Sequence, residues 1–130
     1  MKYLNAVAAM VLVLGLGLGV VMQQRTPPPD DPWFLQVVAR SPRPVLVKFG
    51  ADWCPPCRHV ETVLDRAEGH LRGRIKIVRI DIDERPELAR HYGISGIPRL
   101  MLFQDGKILA SHGGFGDAES LQKWVDQSVR

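Results

Sequence analysis

Two cysteines three residues apart, Cys54 and Cys57, stand between an apolar run and a helical repeat, and this placement limits the fold more than any other feature. Residues 45–49 (VLVKF) are apolar and partly β-branched apart from Lys48, with prolines before them and Gly50 after. They predict a buried strand. From Cys54 onward, Cys57, Val60, Leu64, Ala67 and Leu71 recur on one helical face, and Gly73 marks the end of that connection. Ile75, Ile77, Ile80 and Ile82 give the next strand. Such a strand–helix–strand unit forms a parallel pair with a right-handed crossover. The cysteine pair then opens the crossover helix.

The flanking segments extend the pattern. Trp33, Phe34, Val37 and Val38 repeat at helical spacing, with Asp31 as a cap and Pro32 at the first helical position. A short helix over 86–92 is stopped by Gly93, and a strand follows over 100–103. Asp105-Gly106 is a hairpin signal, so 108–110 should return antiparallel. Asp117 caps a last helix with Leu121, Trp124, Val125 and Ser128 along one side. The expected class is α/β, with a central mixed β-sheet flanked by helices on both faces.

The start of the chain is of another kind. Residues 4–22 contain one polar residue, Asn5, and no charge. As a helix they rise about 28 Å, close to the thickness of a bilayer's hydrocarbon core. Lys2 precedes the run, while Arg25 after it is offset by Asp30 and Asp31, which puts the N-terminus in the cytoplasm and the domain outside. The chain thus divides into an N-terminal membrane anchor (1–22), a proline-rich spacer (23–32) and a globular domain (33–130). A cleaved signal peptide is the rival reading. Val20, Val21, Met22 and Gln23 at the end of the run make a poor small-residue cleavage site.

Charge and ligand counts exclude other chemistries. The net charge is +3, but Arg72, Arg74, Lys76 and Arg79 are interspersed with Asp81, Asp83 and Glu84. No basic stripe interleaved with aromatics exists, so no nucleic-acid partner is expected. A zinc site needs about four ligands. Two cysteines and the scattered His59, His70, His91 and His112 do not supply them, and His59 would point away from Cys57, so neither a metal nor a cofactor is expected. Nor can a single cysteine pair staple a small domain, so the pair reacts. At a helix N-terminus the unpaired backbone donors and the dipole favour an anion, making Cys54 the attacking thiolate. Cys57, one turn in, resolves the mixed disulfide by attacking Cys54. Pro55 and Pro56 remove two N–H donors beside the Cys54 sulfur, which leaves the thiolate less stabilised and tilts the pair towards reductant.

With these residues in view, the chain resembles the thioredoxin family. The likeness is carried by residues 45–57 (VLVKFGADWCPPC), by 92–98 (YGISGIP), and in register by 100–106 and Gly114. It covers residues 33–130. The resemblance implies a thioredoxin fold and thiol–disulfide exchange with protein disulfides. It further implies a cis Pro98 against the cysteine pair, the Ile97 backbone available to a bound peptide, and Trp53 flanking the site. The chain also departs from the family. Lys48 stands where the family has a buried acid, Gly50 where a second tryptophan is frequent, and Thr62 where a helix-kinking proline is found. Arg99, after Pro98, is expected to add positive charge beside the site. A charged Lys48 would stabilise thiolate against the effect of the prolines, a neutral one could act as a base, and a third option is that its stem snorkels to the surface. The expected role is a reductant in a bacterial inner membrane, single-pass through residues 4–22, with its domain in the periplasm. Its electrons would come from a membrane dithiol donor, and apocytochrome cysteine pairs are among its candidate clients. The alternatives are an oxidase or isomerase, or a redox-inactive binding or chaperone module, and, for location, a secreted or periplasmic form after cleavage.

Overall fold

Asp31 opens the first helix as expected: its carboxylate accepts the Phe34 N–H at 2.9 Å, and Pro32 occupies the first turn, where its missing N–H leaves nothing unpaired. In the computed structural model, which describes Tyr3 and residues 27–129, this helix (α1, Pro32–Phe34) runs on into a π-helical turn, Leu35–Ala39. The wider winding is closed by Arg40 N–H donating to the Leu35 carbonyl at 2.9 Å, and it leaves Phe34 and Val38 buried. The anchor expected at residues 4–22 lies outside the described residues. Among those described, no helix is long and apolar enough to cross a membrane. Pro29 and Asp31 belong to the stretch read as a spacer, yet Pro29 is buried and Asp31 pairs with Arg85 at 2.8 Å.

The remaining elements follow the expected order: β1 (Val45–Gly50), α2 (Pro55–Leu71), β2 (Lys76–Asp81), α3 (Pro86–His91), β3 (Arg99–Gln104), β4 (Lys107–His112) and α4 (Ala118–Ser128). The sheet order is β2-β1-β3-β4, with β1 parallel to β2 and β3 antiparallel to both β1 and β4. Asp105 and Gly106 both have positive φ, 52° and 74°, the turn geometry that matches strand twist in a two-residue hairpin.

Strand alternation divides the core into two layers. Leu46, Leu100 and Leu102 face α2 and α4, packing on Val60, Leu64, Leu71, Leu121 and Val125. Val45, Val47, Phe49, Met101 and Phe103 face the other way, onto Phe34, Val38 and Leu88. Helices thus cover both faces of a mixed sheet, as the periodicities require. The parity also decides the site. Lys48 shares the face of Leu46, towards α2, whereas Arg99 pairs with Phe49 across the ladder and shares the opposite face.

Candidate active site

β1 ends at Gly50, and a short loop delivers Cys54 to the position that caps α2. Cys54 is extended (φ −99°, ψ 106°), and its sulfur accepts the Cys57 N–H at 3.3 Å. Pro55 and Pro56 occupy the first turn and carry no N–H, so the Cys57 N–H is the cap donor that remains. The two cysteines form a disulfide with Cα atoms 5.3 Å apart. They are 4% and 2% exposed, so the partner sulfur must be reached through a small opening.

Around the pair the expected residues gather. The Ile97–Pro98 bond is cis, the Ile97 carbonyl oxygen is 4.0 Å from Cys54 Sγ, and Ile97 packs on the apolar cluster of Ala51, Cys54 and Cys57. Pro98 is buried beside Val60 and Gly114: a side chain at Gly114, which has φ +136°, would meet Pro98 Cγ and Val60 Cγ2. Trp53 is 65% exposed, and its indole Nε1–H donates to Asp83 Oδ2 at 2.7 Å, which fixes the ring at the rim. His59 turns away from Cys57, as expected, and its Nε2 lies 3.2 Å from the Gly116 carbonyl oxygen. Among the described residues no group of three or more metal-ligating side chains occurs.

Lys48 does not snorkel. It is 8% exposed, and its ammonium forms an ion pair with Glu61 of α2. The other Glu61 oxygen accepts Arg79 Nε–H at 2.6 Å, and Arg79 Nη2 reaches Asp65 Oδ1 at 3.2 Å. Burial pushes the Glu61 carboxyl up, but its hydrogen bonds and charge contacts with Lys48 and Arg79 outweigh that and hold it below the ordinary carboxylate range. Lys48, Glu61 and Arg79 line an open cleft of about 430 Å³ that also takes in Gly50, Cys57 and Asp52. Gly50 is the close approach: a Cβ there would lie 3.0 Å from Lys48 Cε, 3.1 Å from Lys48 Nζ and 3.2 Å from Cys57 Sγ. The ammonium and the resolving sulfur therefore flank one small gap.

Arg99 is the exception among the expected residues. The ladder puts it opposite Phe49, on the sheet face turned away from Lys48 and the cleft. Glu61, Arg79 and Asp83 are site residues that sequence reasoning did not single out. The available signal was Glu61 and Asp65 one turn apart on the helix that Cys54 opens, facing a strand that holds an otherwise unpaired lysine.

Comparison with known proteins agrees with this geometry. The family model described as thioredoxin matches residues 28–127. Thioredoxin of Rickettsia felis is 36% identical over 99 residues, covering 76% of this chain and 94% of the relative. Thioredoxin of Thiocapsa roseopersicina is 46% identical over 81 residues, 62% of this chain and 89% of its own. Thioredoxin of Pseudomonas aeruginosa is 36% identical over 99 residues, 76% and 92% of the two chains. A malarial protein of solved structure superposes with a TM-score of 0.62 at 23% identity, over 68% of this chain and 99% of that one, which is a likeness of fold.

Proposed function

The chain belongs to the thioredoxin family and is a thiol–disulfide oxidoreductase, and from that premise we propose that it works as a reductant of protein disulfides, held at a bacterial inner membrane with its domain in the periplasm. In the exchange itself, the Cys54 thiolate attacks one sulfur of a client disulfide. A mixed disulfide forms and the first client thiolate leaves. The Cys57 thiolate then attacks Cys54 Sγ, the Cys54–Cys57 bond forms, and the second client thiolate leaves. Two electrons pass to the client, and a dithiol donor must return them.

The observation that carries the direction is the donor count at Cys54. Its sulfur receives the Cys57 N–H, while Pro55 and Pro56 offer none. A thiolate short of donors is a poorer leaving group and a costlier product of reduction, so the disulfide is a weak oxidant. The cations expected to oppose this are muted. Lys48 is paired with Glu61 and lies beside the Cys57 sulfur rather than at the Cys54 cap, and Arg99 stands on the other sheet face. The apolar run at residues 4–22, with Lys2 before it, supports the tether and the orientation. An oxidising compartment calls for a membrane dithiol donor to keep the pair reduced.

The deciding measurement is the reduction potential of the full chain, equilibrated against glutathione in detergent micelles. A value near thioredoxin's, about −270 mV, is expected. A value near about −120 mV would make the pair an oxidant and overturn the proposal. Location is tested separately: alkaline extraction should leave the chain in the membrane fraction, and release of a shortened chain would identify a cleaved leader instead.

A further inference from the structure

Cys57 needs its thiolate for the resolving step, yet it is 2% exposed, and burial disfavours the charged form. Something must offset that cost. The prolines contribute no donor, and the Cys57 sulfur faces the cleft rather than the helix terminus that serves Cys54.

The charged groups facing this sulfur come from every element around the cleft. Lys48 stands on β1, Arg58 and Glu61 on α2, and Arg79 and Asp81 on β2, while Asp52 and Glu84 lie in the adjoining loops. Asp52, Asp81, Glu84 and Arg58 line the open part of the cleft, where exposure to solvent screens their fields. Lys48 differs from all of these. It is 8% exposed, and its Nζ and the Cys57 sulfur lie 3.1 Å and 3.2 Å from one point, the missing Cβ of Gly50. No side chain separates them because residue 50 has none.

We infer that the Lys48 ammonium is the counter-charge of the Cys57 thiolate, and that Glu61 sets how much of that charge the sulfur feels. Glu61 is a positioning residue here. One of its oxygens holds the ammonium at the gap, and the other is drawn away by Arg79. In the resolving step Cys57 gives its proton to water in the cleft, and the thiolate attacks Cys54 Sγ. The sulfur–sulfur bond to the client breaks, and the client leaves as its thiolate. The inference rests on the dithiol exchange of the preceding reading and holds for either direction of electron flow and any compartment.

The test separates the two sulfurs. The reduced full chain in detergent micelles is mixed with dithiobis(nitrobenzoate), an aromatic disulfide that releases one coloured thiolate when Cys54 attacks it and a second when Cys57 resolves. The pH midpoint of each phase is followed by stopped flow. Lys48→Met is expected to raise the midpoint of the second phase by about one pH unit, making that phase roughly tenfold slower on its acid side. Glu61→Gln is expected to lower the same midpoint, because the ammonium then acts on the sulfur without a carboxylate beside it. Lys48→Arg, which keeps the charge, should return towards the unsubstituted value. The first phase should stay within about twofold throughout, since Cys54 is served by the helix terminus. A second-phase midpoint that ignores Lys48→Met, or that moves the same way in Lys48→Met and Glu61→Gln, overturns the inference. Misfolding cannot produce opposite shifts. Absence of both phases in the unsubstituted protein would instead sink the dithiol exchange itself.

Discussion

Replacing Pro56 by alanine should make the disulfide a stronger oxidant, because it restores an N–H at the second position of α2. A side chain that caps a helix accepts from the second or third N–H of the first turn. In this protein the third is Cys57, whose N–H meets Cys54 Sγ at 3.3 Å, and the second is Pro56. A hydrogen bond to a charged group contributes about 1.5–3 kcal/mol net. Sulfur is a weak acceptor, so the low end applies, about 1.5 kcal/mol. That corresponds to about one pKa unit lower for the Cys54 thiol and, above that pKa, to about 30 mV higher in potential. Pro55→Ala supplies an N–H at the first position, which lies too far round the turn to reach the cap, and should shift both quantities much less. The assay is redox equilibration with glutathione, together with thiolate absorbance followed against pH. Equal shifts in the two variants, or none in Pro56→Ala, would refute the argument that backbone donors set the direction of this pair.

Other expectations follow from the same geometry. Cys57→Ser should accumulate a mixed disulfide with client proteins, visible on non-reducing gels, whereas Cys54→Ser should form none. The Glu61 carboxyl is held below its ordinary range, so its pairing stabilises the fold above ordinary carboxylate titration and is lost as pH falls through the folded-state value. Glu61→Gln should therefore lower Tm at neutral pH and flatten the acid limb of Tm against pH; an unchanged limb would contradict this. Leu64→Ala removes a fully buried side chain between α2 and the sheet, costing about 2–5 kcal/mol and lowering Tm by about 10 °C or more. Tyr92 packs at tilted and edge-on angles among Phe34, Phe49 and Phe103, and burial pushes its hydroxyl up to about 12. Spectrophotometric titration should show a tyrosine ionising in that region, and none there would mean that the ring is not packed as described.

What could be read from the sequence was local. The βαβ unit, the caps Asp31 and Asp117 and the Asp105-Gly106 hairpin each depend on residues within a few positions of one another, where spacing and residue type decide the backbone. The cysteine pair is of the same kind, since its chemistry follows from a strand ending and a helix beginning around it. The face of Arg99 is not local in this sense: it follows Pro98 in the chain, but strand alternation sends neighbours to opposite faces, and its pairing with Phe49 decides which face it takes.

The environment of Lys48 was hidden for another reason. Its partners come from the middle of α2 and from the neighbouring strand, and no periodicity links residues 48, 61, 65 and 79. Only the register of β1 with β2, which sets Lys48 beside Arg79, brings two cations together and makes a bridging carboxylate necessary. A basic residue in this strand would ordinarily be read as a disturbance of the cysteine pair. With Glu61 between the cations and Asp65 on Arg79 it is a balanced charge set against a buried thiol, adjustable from the helix side without touching either sulfur. A change in potential or in resolving rate can therefore arise at residue 61 or 79 as readily as within the Cys54–Cys57 motif, and variants of this chain should be compared at all of these positions.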